Sequence, residues 1–443
     1  MNTELSRLYP DHLDTLKRRF DRALEVARFD AVLIHAGTPP MKFLDDQAYP
    51  FQVNPHFNQW VPVTDNADCF VYYAPGEQPR LLFHRPVDFW HKPADEPDAF
   101  WTDAFDLRLV ASAEAARGEL PDDLSHCAFL GEPDERFDGW GLASTNPKAL
   151  LNRLHFDRAW KTDYELACLR GAAALGAAAH RAAEDAFRAG ASEYDIHLAY
   201  MAACAHEEHE LPYNNIIALN DHGSVLHYQH REREAPDTPL SFLIDAGARC
   251  LGYASDITRT HSTADGTFAE LIAAMDDAQR GLCDKVEPGM SYPELQREAH
   301  GHVGRLLADF GLVTCSAEAA VESGLTRSFF PHGVGHYIGL QVHDVGGFMA
   351  DPEGGTIPQP DDQPFLRLTR TVEENQVFTV EPGLYFIEPL LADLRQSPRS
   401  NDVDWDRVDA LRPFGGVRIE DNVVVTASGH ENMTRNAFGD GQD

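Results

Sequence analysis

The chain predicts an α+β fold in two domains, and three observations carry that expectation. Its 443 residues exceed what a single hydrophobic core usually organises. Apolar runs of strand length and long helical stretches come in groups rather than in strict alternation. Turn-rich segments such as Tyr73–Arg80 (YAPGEQPR) separate those runs.

Taken in chain order, a helix around Asp11–Ala27 leads into the apolar strand Ala31–His35, followed by strands at Cys69–Tyr73 and Arg80–Phe83. These elements read as a separate α/β domain. The division falls just before the long alanine-rich helix Asp163–Arg188, which gives domains of residues 1–158 and 159–443. In the second domain, Thr267–Val286 and Tyr292–Phe310 read as helices, the latter with Leu295, His302, Leu306 and Leu307 among its spacings. Phe242–Ala246, Thr258–Ser262, Gln376–Val380 and Gly416–Val425 read as strands of a curved antiparallel sheet.

Composition narrows the function. Apolar residues make up 43% and charged residues 24%, the balance of a soluble globular protein. Thirty-seven basic against 71 acidic side chains leave a formal charge of −34. That field repels nucleic acid and anionic membranes, so neither is expected as a partner. No apolar run approaches the roughly 20 residues of a membrane span, and the N-terminal stretch MNTELSRLYPDHLDTLKRRF has no apolar signal region. A cytoplasmic location is expected. The seven cysteines are scattered, with no CxxC pair, which fits reduced thiols rather than a disulfide frame or a zinc-thiolate site.

The chemistry lies in five residues: Asp245, Asp256, His336, Glu381 and Glu420. Asp245 ends the apolar run Phe242-Leu243-Ile244, and Asp256 follows eleven residues on, with Gly247 and Gly252 available for a reversal between them. Glu381 stands at the end of a strand in TVEPGLYF. In GVRIEDNVVV the period-two pattern puts Arg418 and Glu420 on one face and Val417 and Ile419 on the other. The segment PHGVGHYIGLQVHDVGG sets His332, His336 and His343 among five glycines, and glycine-rich backbone lets side chains crowd a centre. Each element alone has a bland reading: a turn cap, a solvated strand face, a loop-edge glutamate. Jointly they point to a metal site, because four carboxylates cannot share a dry cleft without cations. Two divalent ions supply the opposing charge and make a nucleophile of bound water.

The order and contexts of these residues resemble the pita-bread metallopeptidases. This family includes methionine aminopeptidase, Xaa-Pro aminopeptidase and Xaa-Pro dipeptidase (prolidase). With FLDDQAYPFQVNPHFNQWVPV and HGVGHYIGLQVHDVGG, the chain is most similar to the bacterial prolidases, a group that also contains organophosphorus acid anhydrolases. The resemblance implies a pita-bread catalytic domain behind an N-terminal α/β domain that caps the cleft and makes dimer contacts. It implies that Asp245, Asp256, His336, Glu381 and Glu420 hold two Mn²⁺ per subunit, with Co²⁺ or Zn²⁺ as alternatives, and that Asp256 and Glu420 bridge the pair. His343 would contact the scissile group, while His332 and Arg418 would hold the substrate carboxylate. His227 is a further active-site histidine, and Tyr213, Leu226, Tyr292 and Leu366 would line the pocket. Asp45 would reach the pocket of a second subunit, which implies a homodimer. One departure stands out: Glu373-Glu374-Asn375 occupies the place of the family's usual Pro-Gly turn.

The implied reaction is hydrolysis of Xaa-Pro dipeptides by a metal-bridging hydroxide that attacks the carbonyl before proline. Glu381 would pass a proton to the leaving nitrogen and His343 would stabilise the oxyanion. Organophosphorus triesters are an expected side substrate. The alternative is a Xaa-Pro aminopeptidase, which shares the metal site but accepts longer chains.

Overall fold

The computed structural model describes residues 2–439. The chain divides into two compact units. The first runs to Cys168 and takes in Leu251–Tyr253 and Met349–Gly355; the second comprises Leu169–Cys250, Ala254–Phe348 and the chain from Thr356 onward.

The first unit is built on a mixed six-stranded sheet in the order Asp106–Val110, Arg80–His84, Phe70–Tyr73, Ala31–His35, Cys127–Leu130, Ser144–Thr145. Ala31–His35 lies antiparallel to Phe70–Tyr73 and parallel to Cys127–Leu130, and all five of its residues are buried. A strand covered on both faces has no polar side to alternate with, which explains the apolar run AVLI before His35. The first helix begins at Asn2 rather than near Asp11. Pro10 lies inside it, although proline usually marks a helix start. Leu5, Tyr9, Leu13, Leu16, Phe20 and Leu24 recur at three- and four-residue spacing, and all are buried.

The second unit holds the antiparallel strands that carry the chemistry. Ser241–Asp245 is the middle strand of three, flanked by Ile216–Leu219 and Thr258–Ser262. Val377–Val380, Asp421–Thr426 and Gly429–Asn432 form a second antiparallel set, and Gly383–Tyr385 pairs with Gly416–Arg418. Helices Glu193–Cys204, Thr267–Cys283 and Tyr292–Asp309 belong to this unit. Phe187, Ile196, Tyr200, Phe242 and Ile244 make up one of its apolar clusters.

The expected strand Gly416–Val425 is two strands, interrupted at Ile419 and Glu420. The backbone changes partners there: Arg418 pairs with Gly383, Glu420 with Thr258, and Asp421 with Val380. That crossing joins the strand systems and places Glu420 between them. Asn375 adopts φ of +67° and its N–H donates to the Val425 carbonyl at 2.9 Å, so asparagine serves the turn in place of glycine. None of the seven cysteines is in a disulfide, and six are buried. No helix among the described residues is long and apolar enough to cross a membrane.

Candidate metal centre

Each of the five residues is delivered by a strand end or a glycine-bound turn of the second unit. Asp245 closes its strand opposite Ile216 and Thr258. Between Asp245 and Asp256 the reversal is made by Leu251 and Gly252, at φ of +51° and +91°. Gly247 plays a different part: a Cβ there would lie 2.0 Å from the Ser255 carbonyl. Asn422 locks Asp256 from behind, accepting from its N–H at 3.0 Å and donating to its carbonyl at 2.7 Å. His336 follows Gly335, whose φ is +153° and where a Cβ would meet the Thr379 carbonyl at 2.1 Å and the Tyr292 hydroxyl at 2.3 Å. Only glycine lets this turn close onto the strand carrying Thr379, and the His336 N–H then donates to Thr379 Oγ1 at 3.1 Å.

One ligand atom from each of Asp256, His336 and Glu420 lies within 4.8 Å of the others, and all three residues are buried. The His336 Nδ1–H donates to the Tyr337 carbonyl at 3.0 Å, which turns Nε2 towards Asp256 Oδ2 at 3.4 Å and Glu381 Oε1 at 3.6 Å. A backbone-held tautomer of this kind is the usual support of a metal-ligating imidazole. Asp256 Oδ1 accepts from the Tyr213 hydroxyl at 2.6 Å, and Glu420 Oε2 from Thr258 Oγ1 at 2.6 Å.

The electrostatics of the cluster call for cations. Burial and then the Asp256, Glu381 and Asp245 carboxylates hold the Glu420 carboxyl well above its ordinary range. Burial likewise lifts Glu381 to about 7, despite the partly offsetting His336. Burial raises Asp245 against the pull of Arg418, whereas Asp256 is lowered because His336, Tyr213 and His343 together outweigh its burial. Asp245 Oδ1 is a buried oxygen with no hydrogen-bond partner among the described residues. An orphaned carboxylate oxygen beside crowded acids that resist ionisation is what an oxygen-preferring divalent ion relieves, so the residues fit the expected metal.

The five residues line a single cavity of about 990 Å³, a volume typical of small-ligand sites. His332, His343, Arg418, Tyr213, Leu226, His227 and Leu366 line it as well. Tyr292 does not; it is fully buried, and its hydroxyl donates to the Thr379 carbonyl at 2.7 Å. Its place is behind Gly335, supporting the ligand turn. Asp45 lies in the first unit, exposed, with Oδ1 accepting from the Gln47 N–H at 3.2 Å, and it is not part of this cavity lining.

Two further observations concern the pair expected to hold the substrate carboxylate. Arg418 is buried and its fork is occupied: Nη2 donates to Asp245 at 2.6 Å, Nη1 to the Tyr385 hydroxyl at 2.9 Å, and Nε to Thr258 Oγ1 at 3.0 Å. His332 is also satisfied, its Nδ1–H donating to the Gly333 carbonyl and its Nε2 accepting from Tyr385, both at 2.8 Å. Burial and Arg418 lower the His332 pKa to about 3, so the ring is neutral. Asp245, Arg418, Tyr385 and His332 form one hydrogen-bonded chain.

Sequence reading missed Tyr385, Thr258 and Arg367. Tyr385 was legible in principle, because it follows Glu381 at even spacing in TVEPGLYF. Arg367 lines the cavity, is exposed, and has no ion-pair partner among the described residues. His343 lies near it; burial, then His336 and Arg367, bring the His343 pKa down to about 4.

Residues 7–156 match the Xaa-Pro dipeptidase N-terminal domain, and residues 167–427 match metallopeptidase family M24. An Xaa-Pro dipeptidase of Shewanella oneidensis is 49% identical over 97% of this chain and 98% of its own. One of Pseudoalteromonas translucida is 48% identical over 98% and 99%. Among solved structures, an aminopeptidase of Pseudomonas aeruginosa superposes with a TM-score of 0.72 at 21% identity, covering 97% of this chain and 95% of its own. Zinc-substituted Escherichia coli aminopeptidase P, solved with product, gives 0.69 at 23% identity over 95% of both chains. At that identity the likeness speaks to the fold, which is the pita-bread fold preceded in the chain by an N-terminal domain. The chain belongs to metallopeptidase family M24, in the branch that carries the Xaa-Pro dipeptidase N-terminal domain.

Proposed function

We propose that this chain hydrolyses Xaa-Pro dipeptides with two divalent metal ions, Mn²⁺ by preference, held by Asp245, Asp256, His336, Glu381 and Glu420. The observation that carries the reading is the buried carboxylate–imidazole cluster on the wall of a cavity that also holds an unpaired guanidinium. Relatives named Xaa-Pro dipeptidase, aligned over nearly the whole chain, support the same substrate class. When bound, the ions supply Lewis-acid charge and bring the pKa of a coordinated water towards neutrality.

The protein's own groups then divide the work. Asp256 and Glu420 would hold the ions together with Asp245, His336 and Glu381. Neutral His343 offers an N–H to the scissile carbonyl oxygen, where negative charge develops. Glu381 carries a proton to the imide nitrogen of proline, which has no N–H and leaves only when protonated. Arg367, with His227, takes the substrate's C-terminal carboxylate, because a guanidinium without a carboxylate partner retains the charge-assisted bonds that Arg418 has already given to Asp245. Arg418 is assigned to holding Asp245 and Tyr385 in place. Phosphotriester hydrolysis is a side reaction of the same centre. The working form is a homodimer, in which Asp45 of each chain faces the cavity of the other.

The test is hydrolysis of Ala-Pro and Ala-Pro-Ala after chelation and again after Mn²⁺ is restored. Metal-dependent cleavage of the dipeptide alone is expected. Cleavage of both peptides would move the chain to the aminopeptidase branch, and cleavage of neither would remove the reading.

A further inference from the structure

Glu193 is 1% exposed and occupies the first position of helix Glu193–Cys204. An acidic residue there is ordinarily read as a complement to the helix dipole. In this helix the cap belongs to Ser192, whose side chain accepts from the Asp195 N–H. The Glu193 carboxylate faces away, onto the segment Leu219–Glu232. Oε1 accepts from the Leu219 N–H at 2.9 Å and from His222 Nδ1 at 2.7 Å. Oε2 accepts from the Tyr228 hydroxyl at 2.8 Å and from the Glu232 N–H at 2.9 Å. One buried carboxylate therefore binds both ends and two interior side chains of a single loop. His222 and Tyr228 also stack, with ring centroids 4.6 Å apart and planes at 23°.

This loop presents Leu226, His227 and Gln229 to the cavity, while Tyr228 between them is buried against Glu193. The residues on either side of Tyr228 point where they do because Tyr228 is pinned. We propose that Glu193 is a positioning residue for substrate binding, holding the Leu219–Glu232 loop so that His227 and Leu226 face the substrate; this rests on the dipeptidase reading above. The requirement is for a carboxylate in particular. A glutamine has one oxygen, and its NH₂ group must take the place of either Oε1 or Oε2. In the first case it opposes the Leu219 N–H, in the second the Glu232 N–H, and two donors cannot satisfy each other. An aspartate is one methylene too short to span the same four donors.

The experiment compares the full-length Mn²⁺-loaded protein with Glu193→Gln and Tyr228→Phe, measuring kcat and KM for Ala-Pro, metal content, and hydrogen–deuterium exchange. For Glu193→Gln, KM rises about tenfold or more while kcat and metal content stay within about twofold. Peptides covering 219–232 exchange faster and the Ser241–Asp245 strand stays protected. Tyr228→Phe moves KM and exchange the same way by a smaller factor, and it alone is read if Glu193→Gln does not fold. An unchanged KM overturns the proposal, including the case in which kcat falls only in step with metal or folded fraction. If the wild-type protein leaves Ala-Pro uncut, the dipeptidase reading fails and exchange decides on Glu193: selective loss of protection at 219–232 retains its role, and unchanged protection removes it.

Discussion

The two arginines of the cavity show how one side-chain type divides into two tasks. Arg418 is enclosed by Asp245, Tyr385 and Thr258, whereas Arg367 stands exposed on the wall without a counter-ion among the described residues. Substituting each with methionine keeps an unbranched, helix- and strand-tolerant chain and removes only the charge and donors. Arg367→Met is expected to raise KM for Ala-Pro about 30- to 150-fold, the equivalent of about 2–3 kcal/mol for a charge-assisted bond, with metal content unchanged. Arg418→Met leaves the Asp245 carboxylate buried without its cation, and metal content and thermal stability fall together. Metal analysis beside the two KM values checks both; a metal loss in the Arg367 variant, or its absence in the Arg418 variant, would reverse the assignment. Residue type and position were legible for Arg418, since GVRIEDNVVV puts it beside Glu420. Its occupancy was not, because that depends on Tyr385 and Asp245, which approach it from other strands.

Elements explain which parts of the site sequence could reach. The strand Thr258–Ser262 lies where expected, and the end of Val377–Val380 matches expectation because an apolar run bounded by a polar residue marks where a buried strand stops. Arg418 and Glu420 read in isolation as a half-exposed strand face, yet both are buried, because a third strand system closes over them at the Thr258–Glu420 pairing. Partner exchange of that kind leaves no periodic signature. Tyr292 was misplaced for a related reason: it opens a helix whose approach to Gly335 is a tertiary fact.

The long helix Asp163–Arg188 offers a prediction at the same scale. His180 on it is buried, with Nε2–H donating to the Ala246 carbonyl at 2.9 Å and Nδ1 unpartnered. Burial lowers its pKa to about 3, against an ordinary 6.5. With a folded pKa below the unfolded one, its contribution is fully present above pH 6.5 and is lost as pH falls towards 3. The slope approaches one proton, about 1.4 kcal/mol per pH unit. His180→Gln keeps a donor for Ala246 and cannot titrate, so denaturant midpoints measured from pH 7 to 4 should fall less steeply than in the parent protein. Parallel slopes would mean that other groups govern acid unfolding.

At the scale of the whole molecule, charge and exposed apolar surface oppose each other. A chain of formal charge −34 repels its own copy at long range. The first unit nonetheless exposes Phe43 at 89% and Leu44 at 90%, next to Asp45, with Met41 and Tyr49 also more than half exposed. Apolar side chains displayed this fully on one short segment are a short-range adhesive, and they flank the residue assigned to the second subunit's cavity. Repulsion between the copies is screened beyond a Debye length of about 10 Å at 0.1 M salt, whereas apolar burial is not weakened by salt. The expected dimer therefore tightens as ionic strength rises, opposite to an association held by surface ion pairs. Sedimentation velocity at low and high NaCl measures this directly, with Leu44→Lys as the dissociating variant. That variant should sediment as a monomer at low salt and show a raised KM for Ala-Pro, because Asp45 is then withdrawn from the neighbouring cavity. A dimer that persists in Leu44→Lys, or one that loosens with salt, would place the subunit contact elsewhere and leave Asp45 without a role in catalysis.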